Sequence, residues 1–252
     1  MGSKIVSLPR VLIRPEAVQA GAITIDRPEA LRHLLRVLRI RVGDRLECFD
    51  GAGRTYAGPV IQCAPTAVVM MITEEAQEPA TRMAITLAQA LIKADRFAWV
   101  VQKATELGVA RIIPLETQRA VVRAPTARSG VKQGRWQRIA AEAAKQCGRA
   151  TVPQVDPPSR FAAVIAGLPS QPCALMPTLA VPSPLLRDAA DAVRRADAVT
   201  VLIGPEGDFT PEEVAAAQQA GARAVSLGPL TLRSETAAIA VLALLQSMKG
   251  LV

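Results

Sequence analysis

From Met83 onward the chain alternates short apolar runs with helical patterns, and this alternation constrains the fold more than any other feature. The runs are "AITLAQALI", "ARIIPL", "CALM", "VTVLIG" and "AVSLG". Strand-length apolar runs separated mostly by helices are the grammar of a mainly parallel α/β sheet. The helix expected over Ala94–Leu107 puts Phe97, Val100, Val101 and Ala104 on one face, and Gly108 is placed to end it. A second helix, from Arg135 to Gln146, turns Trp136, Ile139, Ala140 and Ala143 inward and leaves Arg135, Arg138 and Lys145 on a basic outer face. The last helix contains "AAIAVLALL", apolar all round rather than along one stripe. Such a helix must be surrounded. A second copy of the chain is the simplest cover, so a homodimer is expected.

The segment before Glu78 follows a different rhythm. "RLECF", "PVIQC" and "AVVMMI" are closely spaced strand candidates, and Asp50-Gly51 between apolar runs is a hairpin signal because glycine tolerates positive φ. These strands imply a small β-barrel. Ahead of them, "PEALRHLLRVLRI" spaces Leu31, Leu34, Leu35 and Leu38 as a helix and puts arginines between them; Gly43 is expected to stop it. The polar stretch "TEEAQEPATR" reads as a linker. Two domains are therefore expected, residues 1–76 and 77–252.

Half of the 252 residues are hydrophobic, yet no apolar run approaches the ~20 residues of a membrane span. The amino terminus lacks the apolar core and cleavage pattern of a secretory signal, so the expected location is the cytoplasm, with no membrane partner. Cys48, Cys63, Cys147 and Cys173 are scattered singly beside one histidine, which predicts free thiols and no metal site. Residues 93–149 carry twelve Lys/Arg against four Asp/Glu and account for the whole net charge of +8. A concentrated basic surface suits a phosphate-rich partner.

Two strand exits draw the chemistry together. "VLIGPEGDFTPEE" leaves an apolar strand through a glycine-bounded acidic loop into a helix with Thr210 as N-cap, Pro211 at its first position and Glu213 completing a capping box. Open α/β sheets bind ligands where loops leave the strand ends. No lysine follows the glycines as in a P-loop, Glu206 and Asp208 would repel phosphate, and no Gly-x-Gly-x-x-Gly fingerprint occurs. The loop suits a neutral or cationic ligand. "AVSLGPLTLRSETAAIA" is a second glycine-marked exit, with Arg233, Ser234, Glu235 and Thr236 at its helix start, and the two loops could wall one pocket.

The pair "LIGPEGDFTPEE" and "SLGPLTLRSETAAIA" resembles the signature of the RsmE family of SPOUT methyltransferases, which act on uridine N3 in small-subunit ribosomal RNA. "RHLLRVLRIRVGDRLECFDGAGRTY", "QALIKADRFAWVVQKATELGV" and "RWQRIAAEAAKQCGRATVPQV" extend the resemblance over most of the chain. It implies an α/β fold with a carboxy-terminal SPOUT-type trefoil-knotted domain and a small amino-terminal PUA-like β-barrel, a homodimer, and S-adenosylmethionine held in the knot. The motif positions assign Met176, Ile203, Gly204, Glu206, Gly207, Leu227, Gly228, Leu232, Thr236 and Ala237 to that cofactor. Arg233 is the candidate cation for charge developing on the uracil carbonyls, and Glu235 the candidate base or the partner that holds Arg233. Two positions depart from the family pattern: Asp208 stands where a glycine is usual, and Leu230 where an arginine is common.

The RNA contacts expected are Arg10, Arg32, His33, Arg36 and Arg39 on the barrel, with Lys93, Lys103, Lys145 and Arg149 around the knot. With three per cent aromatic residues, a broad stacking platform is a poor fit, and backbone and shape recognition of folded RNA fits better. The expected partner is small-subunit ribosomal RNA, free or in the assembled 30S subunit, and not DNA. Two rivals remain at this point: a non-enzymatic RNA-binding assembly factor, and a SPOUT enzyme acting on another RNA or on ribose 2′-hydroxyls.

Overall fold

The computed structural model describes residues 8–79, 83–120 and 129–250. It divides into two compact units, residues 1–80 with Ala144–Val152, and residues 81–143 with Pro153–Val252. The expected division fell at 76/77 and did not include the second segment of the first unit. That segment belongs there because Val152 N donates to Gly51 O at 2.9 Å and Gly53 N to Ala150 O at 3.2 Å.

The first unit is built from β1 (Arg10–Leu12), β2 (Val18–Gln19), β3 (Ala22–Ile25), α1 (Pro28–Leu31), β4 (Arg45–Phe49), β5 (Arg54–Ala64), β6 (Ala67–Met71) and β7 (Glu74–Gln77). Their order is β1-β4-β5-β6-β3-β2, with β7 on β5. β5 serves both halves, pairing with β4 and β7 at its start and with β6 towards its end, across a register shift between Val60 and Gln62. A bulge of this kind bends a long strand and lets one sheet curl over a core. Gly58, two residues before the shift, packs so closely on β6 that a Cβ would lie 1.8 Å from Met71 O, so only glycine fits. Ile23, Leu34, Leu46, Val68 and Met70 are fully buried inside. The hairpin at Asp50-Gly51 is present as a four-residue loop, with Asp50 Oδ1 accepting from the amides of Ala52 and Arg54.

The basic helix differs from its expected form. After α1 the chain winds as a π-helix over Arg32–Val37 and ends there, six residues before Gly43, with Arg39 in the left-handed region at φ 54°. The wider π turn rotates the stripe: Leu31 and Leu34 are buried, Leu35 is half-buried, and Leu38 is 39% exposed.

The second unit contains β8 (Ala84–Ala90), α2 (Ala94–Glu106), β9 (Arg111–Glu116), α3 (Ser129–Cys147, whose end belongs to the first unit), β10 (Gln154–Val155), β11 (Ser159–Arg160) and α4 (Phe161–Ala166). It continues through β12 (Ala174–Pro177), α5 (Ala190–Arg195), β13 (Ala198–Ile203), α6 (Pro211–Gln219), β14 (Arg223–Val225) and α7 (Ser234–Met248). The sheet is wholly parallel among the described residues, in the order β10-β9-β8-β13-β12-β14 with β11 on β9. β13 therefore enters between β8 and β12, strands that precede it in sequence. The exits of β12, β13 and β14 lie at one end of adjacent strands. α2 buries Phe97, Val100, Val101 and Ala104 as its spacing predicts, and Gly108 follows it at φ 81°. α7 buries Ala238, Val241, Leu242 and Leu245 and packs on α2, where Gln246 Nε2 donates to Leu107 O at 2.6 Å.

Candidate functional site

The cleft at the strand exits encloses about 570 Å³, counting its open mouth. One wall is Ile203, Gly204, Pro205, Glu206 and Asp208 after β13; a second is Leu227, Gly228, Leu230, Thr231, Leu232, Ser234 and Ala237 between β14 and α7; the third is Pro177, Thr178 and Leu179 after β12.

Each wall is fixed by local chemistry. α6 starts where the sequence places it: Thr210 Oγ1 accepts from Glu213 N at 3.2 Å and Glu213 Oε2 from Thr210 N at 3.0 Å. Glu213 Oε1 also accepts from Gln118 N at 2.9 Å. Behind the cleft, the buried Gln89 donates from Nε2 to Ser234 Oγ at 2.9 Å, and Ser234 passes its own hydroxyl hydrogen to Gly204 O. This chain ties the end of β8, the start of α7 and the end of β13 together. Gly228, at φ 116°, lies in a region side chains rarely tolerate.

Of the residues expected at the cofactor, Ile203, Gly204, Glu206, Leu227, Gly228, Leu232 and Ala237 line the cleft. Met176, Gly207 and Thr236 do not. Met176 is fully buried in the core beneath, and its neighbours Pro177, Thr178 and Leu179 form the third wall. Gly207 faces Arg119, whose Nη1 donates to Gly207 O at 2.8 Å and Phe209 O at 3.2 Å. Thr236 is exposed on the first turn of α7.

Arg233 is exposed at the N-cap of α7, flanked by the lining residues Leu232 and Ser234. Glu235 does not pair with it. The partner of Glu235 is Arg96 on α2, which lies 3.6 Å from Glu235 and 3.5 Å from Glu206, and so joins the acids of both motifs. Sequence reasoning missed Arg96 and Gln89, and singled out Asp208 as an acid of the loop and a departure from the family pattern without assigning it a partner. Arg96 offered no signal beyond its place in the basic stretch, because its partners lie 110 and more residues away.

The expected RNA contacts divide by exposure. Arg32, Arg36, Arg39 and Lys93 are exposed, and His33 is half-buried. Arg10 is occupied internally: it pairs with Glu47 at 2.7 Å, donates to Arg149 O at 3.2 Å and lies 4.8 Å from the centre of the Phe49 ring. Lys103 pairs with Glu106 on its own helix at 2.8 Å. Lys145 and Arg149 fall in the first unit. Arg149 donates to Thr151 Oγ1 at 3.0 Å, and burial lowers its pKa.

Among the described residues no lysine or arginine lines the cleft, and its acidic side chains are those of Glu206 and Asp208. Two of its walls begin with glycines, and a Cβ at Gly204 would meet Asp208 Oδ1 at 3.1 Å and the Phe209 ring and amide at 3.2 Å. This donor set fits S-adenosylmethionine, which carries a sulfonium cation and ribose hydroxyls but no phosphate.

Residues 79–246 match a family model described as an RNA methyltransferase domain, and residues 25–62 one described as an RNA methyltransferase PUA domain. The chain is 30% identical to the ribosomal RNA small subunit methyltransferase E of Synechocystis sp. over 98% of its length and 80% of that protein. It is likewise 30% identical to the Mycobacterium tuberculosis protein of that name, over 88% of this chain and 85% of the relative. The crystal structure of ribosomal RNA small subunit methyltransferase E from Neisseria gonorrhoeae, bound to S-adenosyl methionine, superposes with a TM-score of 0.83 at 30% identity, covering 96% of this chain and 98% of that one.

Proposed function

Because the chain belongs to the ribosomal RNA small subunit methyltransferase E family, we propose that it methylates N3 of a uridine in 16S ribosomal RNA from S-adenosylmethionine bound in the cleft. The fold is that of the family, a PUA-like barrel followed by a SPOUT-type trefoil-knotted domain. The single observation that carries the reading is the cleft itself: glycine-walled, formed at three parallel strand exits, with carboxylates and, among the described residues, no lysine or arginine in its lining.

Bound S-adenosylmethionine supplies an electrophilic methyl group. The chain's residues must then hold a uracil in line with it and favour loss of the weakly acidic N3 proton as the nitrogen–carbon bond forms. Backbone groups beside Ile203, Gly204, Leu227, Gly228 and Leu232 hold the adenosine, and Glu206 orients polar groups of ribose or methionine. Arg233 meets negative charge developing on the uracil carbonyls. Glu235, steadied by Arg96 rather than by Arg233, is the candidate proton acceptor. Ser234 acts from behind, fixing the start of α7 against Gly204.

Arg32, Arg36 and Arg39 on the barrel and Lys93 beside α2 supply phosphate affinity for small-subunit ribosomal RNA, free or in the 30S subunit, in the cytoplasm. The first unit serves as the RNA-binding domain and the second as the catalytic one, working as a homodimer. The test is calorimetry with S-adenosylmethionine, then mass spectrometry of 16S RNA and 30S subunits after reaction. Saturable binding and a methyl group on uracil N3 are expected. A methyl on ribose or on transfer RNA would reassign the substrate, and RNA affinity with no cofactor binding would favour the assembly-factor reading.

A further inference from the structure

Asp208 is one of only three non-glycine residues with positive φ among the described residues, at 58°. Its carboxylate draws four donors. Oδ2 accepts from Thr178 Oγ1 at 2.8 Å, Leu179 N at 2.6 Å and Ala180 N at 3.1 Å, while Oδ1 accepts from Phe209 N at 2.8 Å. Asp208 N itself donates to Pro205 O at 3.0 Å. Thr178 and Leu179 form the outer part of the third wall, and Leu179 is 60% exposed at its edge. The residue at the left-handed turn of the β13 loop therefore also grips, through its carboxylate, the β12 loop that forms the third wall of the cleft.

We propose that Asp208 is a positioning residue, a clasp that holds the 178–180 loop against the 204–208 loop and so preforms the cofactor cleft. The inference rests on the reading of this cleft as the S-adenosylmethionine site. A left-handed position alone is better served by glycine. An aspartate there repays its backbone cost only if the carboxylate is used, and here both oxygens are. Charge-assisted bonds to two backbone amides and a hydroxyl give the loop a fixed geometry before ligand arrives, which lowers the ordering cost of binding.

Two variants separate side chain from backbone. Asp208→Gly relaxes the left-handed backbone and removes the carboxylate. Asp208→Asn keeps the size but replaces one acceptor oxygen with an amide donor, which faces either the 178–180 donors or Phe209 N. Amide exchange at Leu179 and Ala180 is measured in both, alongside calorimetry with S-adenosylmethionine. Faster exchange at both amides and a dissociation constant raised about tenfold or more are expected for Asp208→Gly. Unchanged exchange in Asp208→Gly overturns the clasp whether or not the cofactor binds, and Asp208→Asn shows whether one acceptor oxygen is enough to keep it. Faster exchange with unchanged affinity overturns its role in binding. Failure of the wild-type protein to bind would sink the cofactor reading, and the exchange result would still decide whether the clasp exists.

Discussion

A Cβ at Gly204 would meet backbone and ring atoms of Phe209 at 3.2 Å, neither of them the loose end of a flexible side chain. Gly204→Val puts two further methyl groups into that space, so cofactor binding is expected to vanish from calorimetry, with a lower melting temperature from overpacking. Retained affinity would remove Gly204 from the site. Arg233 calls for the opposite pattern. Exposed and unspent on the helix cap, it should matter to the transition state rather than to the adenosine. Arg233→Ala is expected to lower turnover about a hundredfold with cofactor affinity within about twofold. An equal fall in both would make it a cofactor residue. Cys48 makes a third claim, on stability. Burial, with the Glu47 carboxylate adding to it, pushes this thiol up from 9.0 to about 12. The folded state then holds the proton more tightly than the unfolded state, so this contribution is whole below pH 9 and is lost as pH rises from 9 towards 12. Denaturation midpoints should fall more steeply over that window for wild type than for Cys48→Ala; parallel curves would contradict the shift.

At the level of elements, α6 has the clearest boundary, and it does more than begin a helix. Glu213 is 4% exposed and divides its carboxylate between Thr210 N and Gln118 N, so the cap also fastens the segment after β9. Thr210→Ala removes one cap bond and should cost about 1 kcal/mol in chemical denaturation. Glu213→Ala leaves two amides short of an acceptor and should cost more, ~2–3 kcal/mol. Equal losses would mean that the Gln118 bond contributes nothing. This element was legible because a capping box is local, written within four residues. The two glycine-marked exits and α2 were legible for the same reason. What stayed hidden depends on residues distant in sequence. Met176 and Pro177 could not be told apart because every side chain of β12 is buried, and alternation marks no face in such a strand. The π winding of Arg32–Val37 follows tertiary packing of Leu31 and Leu34, which helical spacing alone does not encode. Arg10 looked like a phosphate contact until Glu47, Phe49 and the Arg149 carbonyl closed around it. Asp208 looked like a departure that disturbed its loop, and Thr178 and Leu179, about thirty residues before it, show how it is used.

For the whole molecule, the question is what covers α7. Its inner face is buried against the sheet and α2, yet Leu244 remains 45% exposed and Ile239, Ala240 and Ala243 are half-buried. Trp99, on the neighbouring α2, is 43% exposed. Two helices that pack on each other thus each leave a large apolar side chain exposed, and the proposed second copy would cover both. The chain is also strongly basic, so self-association must overcome charge repulsion and needs a substantial apolar contact. A symmetric pairing through these helices meets that need, because an isologous interface uses the same patch twice. Sedimentation at micromolar concentration is expected to show a dimer. Leu244→Glu places a carboxylate in each copy of the patch, near its symmetry mate, and should shift the mass to that of a monomer. Trp99→Ala should weaken the dimer without adding charge. A wild-type monomer would refute the pairing outright. A dimer indifferent to both substitutions would place the contact on another face, and leave the exposed side of α7 to an RNA or protein partner.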